Sequence, residues 1–395
     1  MSGPLAGITV LDLTRVLSGP YCTMMLSDMG GRVIKVEHPG KGDDTRHWGP
    51  PFVGDQSAYF LSVNRNKESV SLDFKHPQGC DVLERLLGRA DVLVENFKPG
   101  ALDRAGFGWD AVHRRHPRLV YASISGYGQW GPRRDEPGYD AVIQAEGGLM
   151  SVTGAGDGPP FRLGVAISDI VAGMFAAQGV TSALFARERT GWGQRVDVGM
   201  LDATAALLTY QAGNYFATGQ APARMGNRHP TIAPYETLPT SDGEIVVAVG
   251  NDGLWQRFCP AIGRPELAAD ARFRTNRDRM AHYDALKPEL DRTLSGRTRA
   301  EWTARFRAAS IPCGGVRDVP EVLADPQLAE REMIVSLSHP TAGPTRVMGT
   351  PIKLSGTPAS VRTPPPTLGQ HTSAVLRELG YDQEMIEDLK AAGAI

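Results

Sequence analysis

ITVLDLTRVLSGPYCTMMLSDMGGRVIKV, residues 8–36, reads as one β-α-β unit. The apolar run over 8–13 marks a strand buried on both faces. Gly19-Pro20 opens a helix through Tyr21 to Asp28, since a proline in the first turn has no intrahelical bond to lose. Gly30-Gly31 ends that helix, and 32–36 is the second strand. The alternation continues with strands over 70–74, 92–95 and 119–123 and helices over 78–88 and 111–115. Such a pattern predicts a Rossmann-like parallel α/β sheet, with ligands bound at the carboxyl ends of its strands. The segments just past those ends are Thr14 to Ser18, Glu37-His38, Leu72 to Lys75, Asn96-Phe97 and 125–128.

The acid Glu37 at the end of the second strand raises a dinucleotide-binding reading, because such sites hold ribose hydroxyls there. The glycine fingerprint is missing: the turn is Arg15-Val-Leu-Ser-Gly19-Pro20, not G-x-G-x-x-G, which makes NAD a minor alternative. Beyond it the Gly- and Pro-rich loop 41–51 carries Arg46, His47 and Trp48, and the polar knot Asn64-Arg-Asn-Lys67 follows. Arginine suits bidentate carboxylate recognition, so Arg46 and Arg65 are the candidates for reading an acid substrate, with Trp48 beside them; solvated surface charge is the rival account of each.

Downstream, GVAISDIVAGMFAAQGVTSALFARERTGWGQRVDVGMLDA, residues 164–203, sets Asp169 after the apolar run 165–167 and before a small-residue helix, 170–187. The bland reading is that Asp169 or Ser168 caps that helix. The small residues Ala172, Gly173, Ala176 and Ala177 leave room for another chain or a ligand. A helix over 201–218 leads to the linker 219–229, and a smaller α+β domain follows, with a hairpin turn at Ser241-Asp-Gly243, a strand over 244–249, helices over 254–262, 280–294 and 298–309, and a capping box at Thr298-Arg-Ala-Glu301. The expected division is 1–218 for the large domain, 219–325 for the small domain with its linker, and 326–395 for a segment that returns to the large domain.

The chain is 395 residues long, 41% hydrophobic and 22% charged, with a formal net charge of −2. That balance gives no global attraction to nucleic acid or anionic membrane. Four dispersed cysteines suggest neither a disulfide framework nor a metal knuckle. No apolar run reads as long enough to span a bilayer, so a soluble cytoplasmic protein is expected, with no metal and no permanently bound cofactor.

Four stretches taken together, VLDLTRVLSGPYCTMMLSDMGGRVIKVEHPG, VENFKPGALDRAGFGW, Asp169 in its setting and TGWGQRVDVGMLDA, resemble the class III CoA-transferases, the family of formyl-CoA transferase and carnitine CoA-transferase. The resemblance covers nearly the whole chain. It implies that Asp169 is a carboxylate nucleophile, and that CoA, as substrate, meets Arg15, Val16, Leu17, Ser18, His38, Leu72, Lys75, Asn96, Phe97 and Arg104. Arg15 and His38 stand where formyl-CoA transferase has histidine and arginine. It further implies an interlocked homodimer, and a glycine-rich loop at Gly250-Asn251-Asp-Gly253 over the nucleophile. Tyr139 stands where the related 2-methylacyl-CoA racemases have a histidine base, and tyrosine is a poor proton acceptor, so racemase is the disfavoured alternative; a non-catalytic CoA-binding protein is another. GDDTRHWGPPFVG, YFLSVNRNK, SGYGQWGP, GYDAV and GQHT are most similar to the succinate–hydroxymethylglutarate branch of the family, which implies succinyl-CoA as donor and a dicarboxylate such as glutarate as acceptor. Backbone N–H groups at the helix start and in the 250–253 loop are expected to receive the oxyanion, and the positive helix end to keep Asp169 ionised.

Overall fold

The computed structural model describes residues 3–395, in two compact units. One comprises the chain to Leu149 with Arg162–Gly213 and Pro326–Ile395; the other comprises Met150–Phe161 and Asn214–Asp325.

The first unit is built on a six-stranded sheet whose spatial order is Lys67–Ser71, Arg32–Glu37, Thr9–Asp12, Val92–Glu95, Val120–Ser125, Arg195–Gly199. Every pairing is parallel. Numbered along the chain the order is 3-2-1-4-5-6, that of doubly wound nucleotide-binding sheets. Successive side chains point to opposite faces, so each buried strand feeds two cores. Leu11, Ile34, Val70 and Leu93 pack against the Pro77–Leu87 helix and the C-terminal helices Thr372–Glu378 and Gln383–Ala391. Val10, Val33, Val92 and Ala122 pack against the Ser18–Asp28 helix and the long helix Ile167–Thr190.

Several expectations shift. The strand placed over 70–74 is Lys67–Ser71, because the knot at 64–67 is interior: Lys67 is fully buried and its ammonium donates to Asp12, to the Pro20 carbonyl and to Asn64. The sixth strand, Arg195–Gly199, is half-exposed at the sheet edge and carries no apolar run to announce it. The helix placed over 201–218 is two, Met200–Ala206 and Thr209–Thr218, broken where Thr209 takes φ +35°. Gly343–Met348 is a strand, paired antiparallel with Ile334–His339. His371 ties the tail to the sheet, its Nδ1 accepting the Ser69 N–H at 3.1 Å.

The long helix satisfies, by length and composition, the test for a membrane span, which overturns the expectation that no such run exists. It is a core helix. Its small residues do not leave space for a ligand: Ala172, Gly173, Ala176 and Ala177 are buried against the Ser18–Asp28 helix and the sheet. A Cβ on Gly173 would lie 2.5 Å from the Ser18 carbonyl oxygen, so only glycine allows the two helices to come this close.

The second unit holds a three-stranded antiparallel sheet, Cys313–Gly315, Gly243–Ala248 and Tyr235–Thr240, with the hairpin closing at Thr240 and Gly243. Its core is aromatic: Trp255 stacks on Phe258, Phe258 on Phe306 and Phe306 on Trp302. The capping box at Thr298 and Glu301 is present, and the helix placed over 280–294 is two, Asn276–Ala281 and Tyr283–Leu294. Residues 150–161 leave the large domain because the linker binds them: the Gly226 N–H donates to the Gly154 carbonyl at 2.9 Å, and Arg224 to the Gly158 carbonyl at 2.9 Å.

Candidate active site

The chain leaves the two central strands, Thr9–Asp12 and Val92–Glu95, toward opposite sides of the sheet, and ligands collect in the crevice such a reversal opens. Asn96 bridges the crevice, accepting the Arg15 N–H at 3.0 Å and donating to the Arg15 carbonyl at 2.7 Å. Phe97 meets Phe74 edge-on, with centroids 5.9 Å apart, and the Arg15 guanidinium lies 5.8 Å from its centroid. This is an aromatic-plus-cation surface of the kind a purine stacks on. Phe74 lies in the expected strand-end segment 72–75 but is not among the residues the family resemblance implies for CoA.

Arg15, Val16, Ser18, Asn96, Phe97 and Tyr139 line one cleft with Asp169. Asp169 stands in the first turn of the long helix but caps nothing: the helix begins at Ile167 with no side-chain cap on its preceding residue. The cap function falls to Asp140, whose carboxylate accepts the Ser168 N–H at 2.9 Å and the Gln144 amide at 2.8 Å, while the Ile167 N–H is turned back on the Val165 carbonyl. Two of the helix-start donors expected to receive an oxyanion are therefore occupied. Burial first, and the negative charge of Asp140 second, push the Asp169 carboxyl up to about 6; donors from the Ser18 hydroxyl and N–H pull the other way. The positive helix end does not win here, because desolvation of a half-buried carboxylate outweighs a partial charge that is already hydrogen-bonded. At neutral pH the group is still mostly ionised, and more basic than an ordinary aspartate.

The arginines assigned to acid recognition are committed elsewhere. Arg65 is buried and forms a two-pronged pair with Asp28, at 3.1 and 2.6 Å. Arg46 grips Glu37 with two bonds of 2.7 Å and lies 3.7 Å over the Phe60 ring. Glu37, the suspected ribose acid, is thereby a structural partner. Leu72 is 1% exposed within the sheet core, so its side chain is not available to flank an adenine, and Leu17 packs against Met24 and Val63. His38, Lys75 and Arg104 are exposed and outside the cleft that holds Asp169. Trp48 packs edge-on against Tyr59, at 5.2 Å. Tyr59 is the residue the sequence reading missed: burial first and the Asp169 charge second raise its phenol to about 12, and with Val16 and Ile170 it forms the apolar wall beside the carboxylate. Tyr59 lies in the apolar run of the short helix Ala58–Val63, and nothing local in that run tells which of its side chains will face Asp169.

In the second unit, Gly250 and Asn251 do not form an open loop with Asp252 and Gly253. Asn251 caps the Asp252–Ala261 helix by accepting the Leu254 N–H at 2.8 Å, and Asp252 pairs with the buried Arg279 at 2.9 Å.

A family model described as CoA-transferase family III matches residues 5–372. The acetyl-CoA:oxalate CoA-transferase of Acetobacter aceti is 47% identical over 355 residues, 90% of this chain and 90% of that protein. The succinyl-CoA:glutarate CoA-transferase of Mus musculus is 41% identical over 393 residues, 99% of this chain and 90% of that one. Among solved structures, a CAIB/BAIF family protein from Brucella suis superposes with a TM-score of 0.87 at 40% identity, covering 96% of this chain and 100% of its own.

Proposed function

This chain belongs to CoA-transferase family III, and from that premise we propose that Asp169 is the covalent carrier through which it moves CoA between acids. Transfer of CoA from an acyl-CoA to a carboxylic acid is its activity; the proposal concerns the route and the substrates. One observation carries it: a half-buried aspartate of raised basicity, released from capping by Asp140, faces the crevice at the carboxyl ends of the strands.

An Asp169 oxygen attacks the thioester carbonyl of the donor, the C–S bond breaks, and a mixed anhydride and CoA thiolate result. The thiolate attacks the aspartyl carbonyl, expels the donor acid and leaves an aspartyl-CoA thioester. The acceptor carboxylate attacks that thioester to give a second anhydride and the thiolate again, which takes the acceptor's acyl group and restores the free carboxylate. Electrons and atoms balance without metal or redox group. Ser18 orients the carboxylate, and Tyr59 with its neighbours excludes water that would hydrolyse the anhydride.

The proposed donor is succinyl-CoA and the acceptor a dicarboxylate such as glutarate, supported by the name of the Mus musculus relative; that of the Acetobacter aceti relative supports a dicarboxylate acceptor, oxalate, but carries acetyl-CoA as donor. With Arg46 and Arg65 committed, the cations in the cleft able to meet a second carboxylate are Arg15 and Lys98. The CoA nucleotide would lie along Arg15, Asn96 and Phe97 toward Lys75, Arg104 and His38. A soluble, cytoplasmic, interlocked homodimer completes the proposal, and exposed Trp130, Phe185, Trp192 and Phe216 are apolar side chains that a second copy would cover. Mass spectrometry after incubation with succinyl-CoA tests the carrier: the peptide containing Asp169 gains CoA with loss of water. CoA exchange that proceeds with that peptide unmodified sinks the reading.

A further inference from the structure

Val16 stands in the Asp169 cleft with φ +69°. A β-branched residue in the left-handed region is strained, and such strain persists only where the surroundings over-determine it. Here they do, residue by residue. Asp12 accepts the Thr14 N–H at 2.8 Å, and the Lys35 ammonium donates to the Thr14 carbonyl at 2.7 Å. Asn96 holds Arg15 by both its N–H and its carbonyl. Asp43 accepts the Val16 N–H at 3.2 Å, while its other oxygen forms an ion pair with Lys35 at 2.9 Å, both side chains being fully buried. Two residues on, Ser18 lines the same cleft as Asp169, near enough for its hydroxyl and N–H to favour the ionised carboxylate.

We propose that Asp43, braced by Lys35, is a positioning residue for the transfer reaction: it holds Val16 in the left-handed conformation and through that turn sets the Ser18 donors against the Asp169 carboxylate. The inference rests on the reading of Asp169 as carrier. Asp43 touches no reacting atom. It also caps the short turn Asp44–His47, which by itself would make it only a structural residue. The two roles separate at position 16, because glycine adopts positive φ without strain and makes the turn independent of the clamp.

The test compares wild type, D43N, V16G and V16G/D43N by CoA exchange and by the rate at which the Asp169 peptide is loaded from succinyl-CoA. In D43N the one remaining oxygen turns to the Lys35 ammonium and the amide nitrogen faces the Val16 N–H, so the clamp is lost and kcat is expected to fall about tenfold in the presence of Val16, the size of the strain no longer opposed, with KM for the acyl-CoA changed less. Added to V16G, the same substitution is expected to cost less than about threefold. Should D43N alone leave Lys35 an unpaired buried ion and fail to fold, K35M/D43N removes both charges and is read in the same way. Equal losses in the two backgrounds, with wild type loaded normally, overturn the positioning role alone; a wild type that transfers CoA without ever loading Asp169 brings down the carrier and this inference with it.

Discussion

Asp169→Asn is expected to abolish transfer and at the same time to stabilise the protein. Asparagine keeps the size of the side chain and an oxygen for the Ser18 donors but removes the charge. The carboxyl rises from its ordinary 3.8 to about 6 on folding, and at about 1.4 kcal/mol per unit that shift costs the wild type about 3 kcal/mol at pH 7. The sign follows from linkage: the folded carboxyl binds its proton more tightly than the unfolded one, so the group costs nothing well below pH 3.8, and the penalty grows as pH rises to about 6 and is complete above it. With an unfolding entropy of about 0.8 kcal/mol/K for a chain of this length, D169N should melt about 3–4 °C above wild type at pH 7 and by about half that margin at pH 5. Thermal unfolding of both proteins in matched buffers measures it. If Asp169 were instead the cap of its helix, the substitution would lower the melting temperature, as loss of a cap does; a lower or unchanged value at pH 7 refutes the argument.

Activity should carry the same titration. In wild type, kcat/KM for the acyl-CoA should fall about tenfold per pH unit below about 6 as the nucleophile is protonated. In D140N that limb should move to lower pH without reaching the ordinary aspartate range, because the like charge is gone and the larger cause, burial, stays; pH–rate profiles of the two proteins that coincide would contradict this. R65K keeps a cation beside buried Asp28 but not the two-pronged geometry, so it should lower the melting temperature and leave the ratio of dicarboxylate to monocarboxylate acceptor rates unchanged; a selective loss of dicarboxylates would restore Arg65 to the site. G173V drives a side chain into the Ser18 carbonyl, so kcat should fall together with stability, read by exchange rate and thermal melt. T298A removes a capping box remote in sequence from the cleft residues and should cost about 1 kcal/mol of stability in denaturant titration.

Local periodicity and turn chemistry are legible along the chain alone. The alternation from Ile8 to Ser123 predicts the parallel sheet and the ends of its strands. Ser241-Asp-Gly243 predicts the hairpin of the second unit, Thr298 and Glu301 their capping box, and four separated stretches taken together, that around Asp169 among them, the family. The employment of charge was set by folding. Arg65 finds Asp28 from 37 residues away and Lys67 finds Asp12 from 55; with those partners two apparent surface cations become interior struts, and Arg46 follows by way of Glu37. The capping of the long helix passed in the same way from Asp169 to Asp140, 28 residues before the N–H it accepts. A charged side chain looks alike in sequence whether water or a buried counter-ion will neutralise it, because the choice rests on an oppositely charged group that only folding brings within about 3 Å.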